Sequence, residues 1–220
     1  FVSCWPAGSG LLLDLFEAEW SKSRGGLEAR LRNTFHDVAI RFSVAAPSLH
    51  PPSAWEPGER PGGSLLAVVV SEFEVLSAWI GGDLAILVRD GGVVAATRPH
   101  SLLEHLRQQE PNLPVDPGQL PAVVTRAIGL TAGREDPPSV AAFGWRAGDR
   151  LILTNWSLHR GDEWVSRDIA IQSEKFSSPS ALAEHLAEQR FVLAHAAYAV
   201  VAVIVMPATG AVVETSPERS

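Results

Sequence analysis

The sequence contains few of the residues that form disulfides or cysteine-only zinc sites, and few lysines. One cysteine, Cys4, excludes a disulfide within the 220-residue chain and a zinc site made only of cysteines. Lys22 and Lys175 are the only lysines, and the net charge of −7 argues against non-specific binding to nucleic acid or to anionic lipid. The basic residues are otherwise arginines, a bias typical of a GC-rich bacterial genome.

Long apolar runs are also missing. The longest, Tyr198–Met206, has nine residues, whereas roughly twenty are needed to span a bilayer. The sequence starts without the basic segment that precedes the apolar stretch of a signal peptide. We therefore expect a cytoplasmic protein that has no nucleic-acid partner and no membrane partner.

The first half of the chain changes from helical to strand-like patterning. Gly10–Trp20 and Leu27–Val44 carry apolar residues at helical spacing, with a break at Gly25–Gly26. Residues 46–63 are rich in Pro and Gly and predict a long exposed connection. The strand-like runs that follow are Ser64–Glu74, Val75–Ile80, Leu84–Arg89 and Val93–Thr97, with a hairpin signal at Asp90–Gly92.

The second half continues with shorter elements. Helices are predicted at His100–Gln109, Ser166–Glu174 and Ser178–Phe191, and strands at Val140–Trp145, Arg150–Thr154 and Tyr198–Met206. Helices, an antiparallel meander, further helices and a final strand make an α+β layout. Several strands are apolar on both faces, which predicts sheets that are covered on both sides.

Four segments then occur in a recognisable order. They read GDLAILVRDG at 82–91, TRPHSL at 97–102, VTRAIG at 124–129 and GDRLIL at 148–153. Together they resemble the GDSRAYLLRDG, TRDHSL, LTRALG and GDRLLL segments of the metal-dependent protein phosphatases of type 2C. The resemblance runs from Phe1 to Met206 and implies a four-layer αββα sandwich, in which two stacked antiparallel sheets are flanked by helix pairs. We expect a single domain over 1–207, whose first strand would precede Phe1, and a C-terminal tail over 208–220.

The resemblance also implies where the chemistry of that family would lie. Its members hold two Mg²⁺ or Mn²⁺ ions with aspartates and activate a bridging water that attacks phosphoserine or phosphothreonine. In this chain Trp5 and Pro6 stand at the family's DG motif. The SDG motif reads Asn155-Trp156-Ser157, and the DN pair falls near Ala197 and Tyr198. Trp and Ala cannot coordinate a hard cation, so we predict no catalytic residue, no metal ligand and no cofactor.

Two tryptophans stand at positions where the family has metal-binding aspartates, which suggests that their indole rings plug the former metal cleft. A buried indole removes roughly 150–250 Å² of surface from water, and clustered carboxylates without a cation repel one another. Our hypothesis is that Trp5 and Trp156 fill the former metal cleft, which requires them to lie within about 15 Å of each other. A tryptophan at a strand end is most often a packing residue, and the alternative is an exposed anchor for a partner.

The loop after the degenerate SDG motif offers a second, polar candidate. His159, Arg160 and Asp162 would lie near the cleft and provide groups for binding an anion, although a solvated loop is the commoner outcome for such a segment. His100 is interpreted as a helix-start or packing residue. Asp83 and Asp149 follow glycines in turns, where a carboxylate commonly accepts backbone N–H groups.

The sequence therefore predicts a pseudophosphatase that acts as a protein-binding or regulatory module. Its partner would be a kinase, a phosphoprotein or another domain of a longer chain. Two alternatives stay open. One is a serine/threonine phosphatase that keeps weak Mn²⁺- or Mg²⁺-dependent activity, and the other is a small-molecule sensor that uses the emptied cleft and needs a pocket beside Trp156.

Overall fold

A computed structural model of the protein describes residues 2–4, 6–45, 62–112, 123–129, 137–155, 163–194 and 201–205. The helices are α1 (Pro6–Lys22), α2 (Leu27–Ala45), α3 (Leu102–Gln109), α4 (Glu163–Ser173) and α5 (Pro179–Ala194). The strands are β1 (Val2–Cys4), β2 (Gly63–Val70), β3 (Glu74–Ile80), β4 (Leu84–Arg89), β5 (Gly92–Ala96), β6 (Ser139–Gly144), β7 (Arg150–Thr154) and β8 (Val201–Val205). No helix within these ranges is long and apolar enough to cross a membrane.

The eight strands form two antiparallel sheets. Their orders are β1–β2–β3–β6 and β5–β4–β7–β8. The β6–β7 connection crosses from the first sheet to the second, because β6 pairs with β3 whereas β7 pairs with β4 and β8. The predicted α+β sandwich of two sheets with flanking helices is confirmed.

Alternation along each strand divides the core into three apolar layers. In β2, Leu65 packs toward α1 and α2, whereas Leu66 points between the sheets. The layer between the sheets contains Leu66, Val75, Trp79, Ala85, Leu87, Trp145, Leu151 and Leu153. The layer under α1 and α2 includes Leu12, Leu31, Phe35, Val38 and Phe42, and the layer under α4 and α5 includes Ile86, Ile152, Ile169, Leu182 and Leu186. Both faces of both sheets are thus covered, which accounts for strands without a polar face.

Helix starts follow local capping chemistry. α1 begins at Pro6, four residues before the predicted start, and proline is well tolerated in the first turn because its missing N–H has no intrahelical partner there. The Ser101 hydroxyl accepts the Glu104 N–H and starts α3. The Ser178 hydroxyl accepts the Ala181 N–H at 3.4 Å just before α5 begins at Pro179.

The predicted strand Ser64–Glu74 is in fact interrupted by a turn. β2 ends at Val70, and the Ser71 hydroxyl both accepts the Glu74 N–H at 3.1 Å and donates to its carbonyl at 2.9 Å. Serine satisfies turn backbone groups in this way and so competes with continued strand pairing. Most of the predicted 46–63 connection and all of the predicted 208–220 tail lie outside the described residues.

Candidate functional site

Six strand ends meet at one end of the sandwich, which we call the site end. Cys4, the last residue of β1, pairs with Gly63 at the start of β2. β3 ends at Ile80, and residues 81–83 lead directly into Leu84 of β4. Leu84 pairs with Thr154 at the end of β7, which in turn pairs with Val201 at the start of β8. The register alone therefore gathers the ends of β1, β3 and β7 and the starts of β2, β4 and β8.

Two of the predicted site residues are described by the structure. Pro6 is the first residue of α1, and Asn155 directly follows β7. The remaining predicted positions lie outside the described residues: Trp5, Trp156, Ser157, His159, Arg160, Asp162, Ala197 and Tyr198. The plug and the polar loop therefore stay predictions.

Asp83 and Asn155 form the polar part of the site end among the described residues. Asp83 directly precedes Leu84, and Asn155 directly follows Thr154, which is the pairing partner of Leu84. Asp83, Thr154 and Asn155 are each 0% exposed. Burying polar side chains costs free energy unless they are hydrogen-bonded, so this end is a desolvated polar layer above the apolar core.

The described donors at the site end are fewer than a two-cation centre needs. Two Mg²⁺ or Mn²⁺ ions need several oxygen ligands, mostly carboxylates. Within the described strand ends and their connections here, Asp83 is the acidic residue, and the end of the neighbouring strand provides a threonine and an amide. No group of three His, Cys, Asp or Glu residues that could hold a metal occurs in the described part of the chain. The adjoining segments 156–162 and 195–200 contain one acid in their sequence, Asp162.

His100 connects two of the motif segments, 97–102 and 124–129, to the β3–β4 connection beside this end. The Gly81 N–H donates to His100 Nδ1 at 3.0 Å, and the His100 N–H donates to the Gly81 carbonyl at 2.8 Å. On the other side of the ring, Ser139 Oγ lies 2.9 Å and Arg126 Nη1 lies 3.0 Å from Nε2. The network ties the β3–β4 connection to the start of α3 and to the 123–129 segment.

Trp79 supports this network from the sheet. Its indole lies 6.1 Å from the His100 ring in a stacked arrangement, and its Nε1 donates to the Arg98 carbonyl at 2.7 Å. His100 is thus a packing residue just ahead of α3, as its position in the sequence suggested. Sequence reasoning did not single out Trp79 or Arg126, although Arg126 lies within the VTRAIG segment that had been recognised.

Comparisons with known proteins bear on the fold. No family model matches the sequence, and no curated protein matches it significantly. The phosphatase PstP of Mycobacterium tuberculosis is 19% identical with a TM-score of 0.73, and the alignment covers 94% of this chain and 86% of PstP. The serine/threonine phosphatase of S. agalactiae is 17% identical with a TM-score of 0.70, covering 93% and 84% of the two chains. Stp1 of Staphylococcus aureus is 18% identical with a TM-score of 0.72, covering 90% and 76%. The chain therefore has the fold of the type 2C (PPM-type) serine/threonine phosphatases.

Proposed function

We propose that this chain is a pseudophosphatase domain: a type 2C phosphatase fold that binds or regulates other proteins and does not hydrolyse phosphoesters. The observation that carries the proposal is that Asp83, buried just before β4, is the one acid among the described strand ends of the site end, while the buried residue that follows the neighbouring strand β7 is the amide Asn155. The next residue in the sequence is Trp156, where the resemblance would require an aspartate.

Physical chemistry favours neutral residues once the metals are lost. Clustered carboxylates raise one another's pKa values and resist burial unless a cation neutralises them. Replacing such a cluster with well-packed apolar residues of similar volume is often neutral or stabilising. The sequence at Trp5 and Trp156 fits this expectation.

The proposed role is therefore recognition. A kinase, a phosphoprotein or another domain of a longer protein would be the partner, and the cytoplasm would be the place where they meet. The fold offers broad covered sheets and rigid helix pairs, which are suited to presenting a fixed surface.

A metal-dependent assay tests this proposal. The full-length protein is incubated with excess Mn²⁺ or Mg²⁺ and either para-nitrophenyl phosphate or a phosphothreonine peptide, beside an active phosphatase of the same fold. We expect no turnover above the rate in EDTA and no saturable Mn²⁺ binding by calorimetry. The Trp156→Asp variant restores one oxygen ligand and the Trp156→Phe variant does not, so a gain in Mn²⁺ binding is expected only from the former.

The opposite result would establish the enzymatic alternative. Mn²⁺-dependent hydrolysis that EDTA abolishes, and that follows the protein through purification, would mean that ligands other than the degenerate aspartate positions support catalysis. In that case the chain is a phosphatase with an unusual metal site.

A further inference from the structure

A groove of about 1020 Å³ lies along the outer side of strand β5 and reaches Leu84 at the site end. Its walls are residues of β5 and its flanks, of α3 and of α4. The lining residues are Leu84, Gly91, Gly92, Val93, Ala96, Thr97, Arg98, Pro99, Glu104, Arg107, Gln108, Pro111, Ser166, Arg167 and Ile171. The degenerate phosphatase motifs do not explain this groove.

The groove is basic although the chain is acidic. Among the described lining residues, three are arginines, at positions 98, 107 and 167, and one is a glutamate. Arg98 and Glu104 partly offset each other, because Arg98 Nη1 lies 3.5 Å from Glu104 Oε1, and Gln108 donates to the same oxygen at 3.0 Å. Arg107 and Arg167 leave the charge of the described lining positive. A positive groove on a molecule of net charge −7 attracts negative groups locally while the rest of the surface repels them.

The groove is also long and follows a sheet edge. β5 is the first strand in the order of its sheet, and residues 92–97 all line or adjoin the groove. Six residues at about 3.4 Å each give a length near 20 Å. Val93 and Val94 of this strand are 39% and 47% exposed, and Ile171 of α4 is 49% exposed. An edge strand beside exposed apolar side chains is the surface to which an extended segment adds as a further strand.

The charges are distributed unevenly along the groove. The Glu174 carboxyl lies against Gly91, since a Cβ built on Gly91 would be 2.5 Å from Glu174 Cδ. Arg167 lies seven residues earlier on the same helical stretch, which corresponds to roughly 10 Å along α4. The end near Gly91 is therefore acidic and apolar, and the arginines lie toward Arg98.

We propose that this groove binds an extended, acidic segment of a partner protein. Aspartate or glutamate side chains of the segment lie against Arg98 and Arg167, and apolar side chains lie beside Val93 and Ile171. The inference names a partner chemistry for the binding role proposed above, but it does not depend on whether the domain is catalytically inactive. A carboxylate and a phosphate monoester offer the arginines the same kind of oxygen acceptors.

Short labelled peptides test the assignment. The probes are fluorescein-labelled peptides of about six residues with valines in one half and either glutamates, phosphoserines or lysines in the other. Anisotropy titrations with the full chain are run in EDTA, so that metal-dependent turnover cannot alter the probe. We expect saturable binding of the glutamate peptide, weakening as salt rises, and none of the lysine peptide. Binding of the phosphoserine peptide without binding of the glutamate peptide would assign the groove to phosphate groups and overturn the proposal.

A pair of matched variants locates the binding. Arg98→Glu together with Arg167→Glu reverses two exposed charges in the groove, and is expected to weaken binding about tenfold or more. Arg24→Glu together with Arg32→Glu changes the net charge equally at exposed positions outside the groove lining, and is expected to change binding by less than about twofold. Circular dichroism checks that all variants are folded.

Three outcomes would overturn the proposal. The first is that the glutamate peptide does not bind. The second is equal binding by the groove variant and the wild type. The third is a response to inorganic phosphate alone, without peptide binding, which would assign the groove to a small anion instead. Phosphatase activity in the separate Mn²⁺ assay would contradict the proposed function and leave the peptide titration in EDTA as an independent result.

Discussion

Arg89 donates two parallel hydrogen bonds to the Asp149 carboxylate, at the end of the sandwich opposite the site end. Nε donates to Oδ1 at 2.7 Å and Nη2 donates to Oδ2 at 2.6 Å, while the Arg146 N–H donates to Oδ2 at 2.9 Å. Asp149 is 1% exposed and Arg89 is 23% exposed. Burial raises the pKa of Asp149, but the hydrogen bonds from Arg89 and Arg146 outweigh it and hold that pKa below its usual value. The same hydrogen bonds raise the pKa of Arg89.

This pair predicts a specific acid sensitivity. Because the folded-state pKa of Asp149 is lower than its unfolded-state value of about 3.9, the carboxylate stabilises the fold above about pH 4 and loses that contribution as the pH falls through the folded pKa. Asp149→Asn should lower the free energy of unfolding by about 1.5–3 kcal/mol at pH 7, and by less near pH 3. Urea denaturation at both pH values measures the difference.

The neighbouring exposed acid provides the control. Asp90 adopts φ 49° in the hairpin turn, a conformation that asparagine also tolerates. Asp90→Asn removes one negative charge without removing the bidentate contact, so its stability should change by less than about 0.5 kcal/mol. Equal effects of the two substitutions would mean that net charge, and not the Arg89–Asp149 contact, sets the pH dependence.

Gly81 is required by both its backbone angle and its surroundings. Its φ is +108°, and a Cβ added there would lie 2.7 Å from the Ser64 Cα. Gly81→Ala therefore combines left-handed strain with a clash against backbone, and should destabilise the fold by about 3 kcal/mol or more. Thermal or urea denaturation gives the magnitude.

A substitution at Gly148 distinguishes the cost of backbone strain from the cost of a steric clash. Its φ is +88°, but nothing lies within 4 Å of an added Cβ. Gly148→Ala should therefore cost only the strain, about 1–2 kcal/mol. If both substitutions cost the same, the close approach of Ser64 to the β3–β4 connection contributes nothing.

His100 is predicted to stabilise the site end through the acceptor at Nδ1. His100→Ala leaves the Gly81 N–H without its ring acceptor and should cost about 1–3 kcal/mol. His100→Asn places a carbonyl oxygen at the position of Nδ1 and should recover part of that loss. Hydrogen exchange of the Gly81 amide, compared among the three proteins, reports on this bond directly; identical protection in all three would contradict the assignment.

Local signals in the sequence account for much of the fold. The hairpin at Asp90–Gly91 was predicted because the two residues accept positive φ, and they have φ 49° and 69°. The bounds of α2 differ from the prediction by one residue, because its apolar stripe coincides with the buried face. Errors arose where a single side chain decides the end of an element, as Ser71 does after β2.

Contacts between segments that are far apart in the chain could not be predicted from the spacing of apolar residues. Trp79 donates to Arg98, and His100 reaches Ser139, 39 residues further along the chain. The groove along β5 is assembled from three separate elements without a periodicity of its own. The resemblance to type 2C phosphatases supplied the layer order, and the register shows that the end of β7 and the starts of β4 and β8 lie at one end of the sandwich.

The plug hypothesis makes a prediction that needs no assumption about activity. If Trp5 and Trp156 pack against each other in the former metal cleft, removal of either indole should weaken the packing of the other. The free energies of unfolding of Trp5→Ala, Trp156→Ala and the double variant then give a coupling of about 0.5 kcal/mol or more. Trp20→Ala in place of Trp5→Ala provides a matched control, because Trp20 packs on Phe16 of the same helix and on Arg30 of α2. Trp20 and Trp156 should be additive within about 0.5 kcal/mol. Additivity of Trp5 and Trp156 would place the two indoles in separate environments, and the cleft would then have to be filled by other residues.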